Sequence, residues 1–341
     1  MKAMVLNALC NLKENSLPLD LMELPVPTPG EREILLKVLA CGVCHTELDE
    51  IEGRTPPPRL PVIPGHQVVG RVEAVGDKVG TVKSGDRVGV AWIFSACGTC
   101  KFCLADHENL CPDFTATGRD ANGGYAEYMT VAETFVYAIP EAFSDVQAAP
   151  LLCAGAIGYR SLRLTGLQDG QRLGLTGFGA SAHLVLKMAQ YQYPHSEIYV
   201  FARSAEERAF AEELGAVWTG DTAAPAPYKL DSIIDTTPVW QPVVEALANL
   251  ESGGRLVINA IRKEADKHSL LNLDYAQHLW REKELKSVAN ITRNDVQAFL
   301  ALAAQMKLQP EVQVFALEQA NQALVELKIG KVRGAKVLKI E

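Results

Sequence analysis

The chain has 341 residues, 48% of them hydrophobic and 22% charged, and a formal net charge of −8. That length points to two domains, each able to bury a core without disulfide staples. The acid excess argues against nucleic acid or an anionic membrane as a main partner, because both reward clustered Lys and Arg. It leaves room for a small anionic ligand held by a few local cations. The opening residues carry no secretory-signal pattern, and no run of about 18 apolar residues follows, so a cytoplasmic protein without a membrane span is expected.

In chain order, the first ~150 residues read as β-rich. The runs 34–39, 68–75 and 86–90 are short and β-branched, and Gly and Pro punctuate them. This spacing predicts a barrel-like or sandwich-like β domain. The middle changes character. A strand is predicted over 172–176, a helix over 182–192, a strand over 197–201, and a helix over 205–214 closing at Gly215. A strand over 232–235, a helix over 242–250, a Gly253-Gly254 turn and a strand over 255–258 follow. Alternating strands and helices predict an α/β unit with a parallel sheet covered on both faces. The tail predicts helices over 295–306 and 317–328, then a strand over 335–340.

Four of the eight cysteines, Cys97, Cys100, Cys103 and Cys111, follow the spacing C-x2-C-x2-C-x7-C. Four thiolates this close can surround one tetrahedral Zn²⁺ at ~2.3 Å per bond, leaving no open position. The site is therefore expected to be structural. Two disulfides, four free thiols or an iron–sulfur cluster are the alternatives that spacing leaves open. In a reducing compartment, clustered cysteines favour metal over disulfides.

A loop, Gly177-Phe178-Gly179-Ala180-Ser181-Ala182, lies between a predicted strand and helix and fits G-x-G-x-x-A. The first glycine makes the turn and the second admits a pyrophosphate. Ala182 serves where helix packs on sheet. The end of the next strand decides between NAD and NADP. Counting back from Leu214-Gly215-Ala216 places that position at Ala202, followed by Arg203 and Ser204. Without a carboxylate to repel a 2′-phosphate, and with Arg203 and Ser204 to bind it, NADP(H) is the expected cofactor.

Three further segments stand in order: Cys41-Gly-Val-Cys44-His45-Thr46-Glu47-Leu48, Pro64-Gly65-His66-Gln67, and Leu151-Leu152-Cys153-Ala154-Gly155. Together with the four-cysteine segment and the Gly177 loop, they resemble the medium-chain zinc-containing alcohol dehydrogenase family over nearly the whole chain. The resemblance implies a GroES-like β-rich catalytic domain, 1–150 completed by 291–341. It also implies a Rossmann domain over 151–290, a doubly wound parallel sheet, with the active site in the cleft between them. It further implies a second zinc, catalytic, held by Cys44, His66 and Cys153; the residues alone do not choose Cys153 over Cys10. Three protein ligands leave a fourth position for substrate oxygen. A zinc so held lowers the pKa of an alcohol and polarises an aldehyde.

By the same resemblance, Thr46 hydrogen-bonds the substrate oxygen, His45 and Arg333 lie near the cofactor pyrophosphate, and Trp92 lines the substrate pocket. Phe94 is divided between pocket and core. Two positions depart from the pattern. Gln67 stands where many relatives have Glu, which leaves the metal a slightly stronger Lewis acid. Asp49 stands where many have the His at the outer end of a proton relay, and Asp titrates near ~4 rather than ~6.5. The expected activity is hydride transfer between a primary alcohol or aldehyde and NADP(H), in a homodimer or homotetramer. The alternatives are a polyol dehydrogenase of the same fold, a zinc-free reductase, or a non-catalytic NADP-binding protein.

Overall fold

Near-continuous burial along Glu33–Val43 makes this strand the spine of the N-terminal sheet. It pairs with Val68–Val75 and Tyr128–Ala132 along its length and with Ala335–Lys339 at its C-terminal end, always antiparallel. A strand with neighbours on both edges and packing on both faces needs apolar residues at nearly every position, as Ile34, Leu36, Val38 and Ala40 supply. The computed structural model describes residues 1–263, 266–330 and 334–340. It divides into two compact units, Met1–Ala156 with Ile291–Glu341, and Ile157–Asn290.

In the first unit the seven-stranded sheet continues through Arg87–Val90 to Val136–Ala138 on one side, and ends at Val312–Ala316 on the other. Its core gathers Leu6, Ile34, Leu36, Ile51, Val68, Tyr125 and Met129. The strand over Val68–Val75 alternates buried and exposed residues beyond Gly70, as a strand with one solvated face does. The predicted 317–328 helix splits into a short 3₁₀ turn, Leu317–Gln319, and a helix, Ala320–Lys328.

The second unit is a six-stranded sheet in which every pairing is parallel. Numbered within the unit, its strands run in the order 3-2-1-4-5-6, the doubly wound order of a dinucleotide-binding fold. The first four are Arg172–Thr176, Glu197–Phe201, Trp218–Gly220 and Leu230–Asp235. The strand over Trp218–Gly220 escapes prediction because three residues show no periodicity. The sixth strand, Glu284–Ser287, escapes because all four residues are exposed at the sheet edge. The predicted Gly253-Gly254 turn is corrected. One strand runs from Leu250 to Ile258, and residues 251–254 bulge out opposite Asp231. Among the described residues, no helix is long and apolar enough to cross a membrane.

Candidate metal centres and cofactor loop

The four-cysteine lobe springs from a two-stranded ladder, Ile93–Ser95 with Thr115–Ala116, pinned by a 2.7 Å contact between the Ser95 and Thr115 hydroxyls. Between these strands the chain makes two single-turn 3₁₀ helices, Cys103–Ala105 and Glu108–Leu110. The four sulfurs all lie within 4.8 Å of one another. Around a tetrahedral zinc with bonds of ~2.3 Å, sulfurs sit ~3.8 Å apart. The Cys100–Cys103 and Cys97–Cys103 separations are 3.6 and 3.9 Å. None of the eight cysteines is disulfide-bonded. The amide of Cys100 donates to the Cys97 sulfur at 3.3 Å, and that of Cys97 to the Cys111 sulfur at 3.5 Å. Amides of Thr99 and Cys100 hold the Cys97 thiol down to about 6, while burial pushes Cys103 up to about 12. The donor set fits zinc and leaves no corner for a substrate.

The second cluster is assembled from three distant places. Cys44 follows the last residue of the Glu33–Val43 strand and caps the short helix His45–Ile51. His66 sits in the turn leading into Val68–Val75. That turn needs glycine at Gly65, where φ is +99° and a Cβ would lie 2.3 Å from the Tyr125 ring. Cys153 ends the 3₁₀ turn Ala149–Leu152. Ligand atoms of Cys44, His66 and Cys153 lie within 4.8 Å of one another, with His66 Nε2 3.2 Å from Cys153 Sγ.

The imidazole's other nitrogen, Nδ1, meets Glu47 Oε1 at 2.6 Å, and both side chains are essentially inaccessible. The approach is a close ion-pair contact whose angle falls short of a linear hydrogen bond. The other Glu47 oxygen accepts the Cys44 amide at 2.8 Å. One carboxylate thus fixes both the ring and the backbone of two ligands, as outer partners of metal ligands do. Sequence reasoning missed Glu47. The available signal was an acid three residues after a helix-capping cysteine, where a carboxylate can reach back to the capping residue's amide.

Electrostatics in the pocket favour one shared negative sulfur. Cys153 and His66 beside it hold the Cys44 thiol well below its usual range. Cys153, next to that thiolate and buried, is pushed well above its own. Burial opposes charge on His66, but Glu47 and Cys44 outweigh it and push the imidazole well up. Glu50, one turn beyond Glu47, is 2% exposed with neither oxygen hydrogen-bonded; burial and then Glu47 push its carboxyl well up.

The Thr46 hydroxyl stands 3.6 Å from the Cys44 sulfur, and His45 is exposed on the same turn. Asp49 is buried and bound by Arg54, at 2.7 Å from Nε and 2.6 Å from Nη2. Gln67 is buried, with its side chain over Gly42. Trp92 is 6% exposed, 5.0 Å from the Phe114 ring, with the Arg119 guanidinium 5.9 Å from its own; Phe94 packs against the same core. Cys41 is buried beneath Gly65, and Cys10 stands apart from both clusters.

In the second unit, Gly177 takes φ +77° and donates to the Phe201 carbonyl at 2.8 Å. A Cβ there would meet the Thr236 hydroxyl at 2.9 Å. Gly179 caps the helix Ala180–Gln192, and a Cβ on it would meet nothing within 4 Å. The face a pyrophosphate needs is therefore open. Ala182 is fully buried against the sheet. Ala202 follows the strand end, and Arg203 beside it is exposed. The Ser204 hydroxyl caps the next helix by accepting the Glu207 amide at 3.0 Å. Arg208, which no sequence motif singled out, reaches back to the carbonyls of Ala202 and Arg203 at 2.7 and 2.9 Å. A second cation therefore stands by the first, with Asp221 4.0 Å from it. Arg333 lies outside the described residues.

Comparison with known proteins adds to this geometry. Residues 30–141 match the alcohol dehydrogenase GroES-like domain. A Mycobacterium tuberculosis protein named "Probable alcohol dehydrogenase AdhA" is 45% identical over 95% of this chain and 93% of its own. An alcohol dehydrogenase of Geobacillus stearothermophilus is 33% identical over 100% and 99%. A solved cinnamyl alcohol dehydrogenase from Sorghum bicolor superposes with a TM-score of 0.84 at 28% identity, covering 99% and 97%.

Proposed function

Because the chain belongs to the medium-chain, zinc-type alcohol dehydrogenase family, we propose that it interconverts a primary alcohol and its aldehyde with NADP(H) at a zinc held by Cys44, His66 and Cys153. The observation that carries this reading is the convergence of two sulfurs and one imidazole nitrogen within 4.8 Å, a donor set for catalytic zinc with one position left over. A second zinc is assigned to Cys97, Cys100, Cys103 and Cys111, where it serves structure.

When bound, zinc supplies a Lewis acid for the substrate oxygen and the nicotinamide exchanges the hydride. The chain's own residues do the rest. Glu47 holds His66 in the orientation that turns Nε2 towards the sulfurs. Thr46 offers a hydroxyl, donor and acceptor at once, to pass the substrate proton. Asp49 is held by Arg54, so His45, exposed on the same turn, is the group assigned to the pyrophosphate and to onward proton exchange with water. Gly177, Gly179 and Ala182 shape the pyrophosphate loop. Ala202 removes the carboxylate that would repel a 2′-phosphate, and Arg203, Ser204 and Arg208 present charge and hydrogen bonds to it. The Trp92 and Phe94 region favours an aromatic or aliphatic substrate tail. A homodimer or homotetramer is supported by the exposed edge strand Glu284–Ser287 and by exposed Leu271, Tyr275 and Trp280 in the same unit, since open edges invite pairing.

The test is a panel of primary aldehydes with NADPH and NADH, before and after metal removal. Expected are a higher kcat/KM with NADPH, a narrower ratio in Arg203→Ala, and loss of activity on metal removal that zinc restores. A preference for NADH overturns the cofactor assignment, and full activity without metal overturns the zinc assignment.

A further inference from the structure

One ion pair, buried on its carboxylate side, leads from the four-cysteine lobe towards the other metal cluster. Glu108 opens the lobe's last turn, and its carbonyl accepts the amide of the ligand Cys111 at 3.0 Å. Its side chain is 2% exposed. One carboxylate oxygen accepts both the Arg293 backbone amide, at 2.6 Å, and Arg293 Nε, at 3.1 Å. Arg293 is the first residue of the helix Arg293–Gln305, which Thr292 caps, and its guanidinium lies 5.4 Å from the Phe135 ring centre. On the same helix Phe299 is fully buried, and its ring lies hard against Gly155, where a Cβ would be 2.2 Å away. Gly155 is two residues past Cys153. All of these residues belong to the first unit.

We propose that Glu108 is a positioning residue that transmits the order of the four-cysteine lobe, through Arg293 and Phe299, to the placement of Cys153. The inference rests on the proposed two-zinc reading. The Arg293 side chain is 36% exposed, but the Glu108 carboxylate is buried and accepts the first amide of the helix, so removing it leaves that amide without its acceptor. The helix start then has no fixed seat on the lobe, and the Phe299 ring no longer defines where the Cys153 segment lies. A thiolate held loosely binds metal more weakly.

The experiment uses the full-length zinc-loaded protein and measures zinc affinity at each site by chelator competition. The visible spectrum of cobalt at the Cys44–His66–Cys153 site serves as a second readout. Wild type must first release two zinc ions in separable steps; failure there sinks the two-zinc reading itself and is distinguishable from any change confined to the variants. Glu108→Ala is expected to weaken zinc at the three-ligand site about tenfold, the low end for outer partners of metal ligands, and to shift its cobalt bands. Glu108→Gln keeps the accepting oxygen and is expected to restore most of that affinity. Phe299→Leu leaves the Glu108 pair intact, covers the case in which Glu108→Ala does not fold, and is expected to weaken the three-ligand site without touching the lobe. Wild-type affinity and unchanged cobalt bands in Glu108→Ala, or in Phe299→Leu if that is the variant that folds, overturn the proposal.

Discussion

The two cysteine clusters use the same chemical groups to opposite ends. In the lobe, four sulfurs close around one point, and amides of the lobe itself supply hydrogen bonds to two of them. At the other cluster, two sulfurs and one imidazole stop short of closure, and the support comes from a buried carboxylate outside the set, Glu47. A site that only has to hold a metal can be self-sufficient. One that keeps a position free for substrate needs its geometry fixed from outside the ligand set.

The largest expected effect breaks the contrast at its centre. Cys153→Ala should lower kcat/KM by about a thousandfold or more, since Lewis-acid assistance is worth several kcal/mol and each 1.36 kcal/mol is tenfold. Metal analysis should still find one zinc per chain, in the lobe. Loss of both ions would erase the distinction between the sites.

Next is Cys103→Ser in the lobe. Structural zinc couples about 10 kcal/mol or more of binding to folding, so the melting temperature should fall by more than about 5 °C. Calorimetry of wild type and variant decides it, and an unchanged transition would remove the structural role.

Glu47→Gln sharpens the comparison, because the three-ligand site leans on this carboxylate from outside its set. Its zinc affinity should drop about 10- to 100-fold, read by chelator competition, with the lobe unaffected. Wild-type affinity would show that the His66 contact is incidental.

A further effect, read across a pH series and not at one pH, tests the same contrast. Both Cys153 and His66 hold their protons above their ordinary ranges, whereas Cys44 releases its proton early. Zinc must therefore expel a proton from each of two ligands around neutrality, so its apparent affinity falls as pH falls. The slope should approach about two decades per pH unit until the pH rises past the raised values. A titration slope near zero between pH 6 and 8, with roughly that range set by where an imidazole normally titrates, would contradict this coupling.

Much of this was legible because local rules govern it. The lobe spacing, the Gly177 loop and the strand–helix alternation each sit within a short window. The strands at 172–176 and 197–201 fall where the pattern placed them. What stayed hidden depends on packing across the chain. Nothing near Glu108 in sequence announces Arg293, and nothing near Arg208 shows that it folds back onto the strand end bearing Ala202. The Gly253-Gly254 pair read as a turn because glycine permits one, yet sheet pairing on both sides of it turned the same freedom into a bulge. Cys153 as the expected third ligand came from family resemblance; what the sequence could not show is that the Ala149–Leu152 turn brings its sulfur to 3.2 Å from His66 Nε2.

The span of each ligand set has a consequence for how the protein is made. The lobe's ligands lie within residues 97–111, so a short segment can wrap an ion as soon as it leaves the ribosome. The other set runs from 44 to 153, and joining ends so far apart costs about 2 kcal/mol more in loop closure unless the sheet has already brought them together. On the proposed two-zinc reading, the two ions would then be acquired in sequence, the lobe's during synthesis and the other after the β unit has formed. Under zinc scarcity a cell would accumulate chains that are folded, stable and inactive, awaiting a single ion.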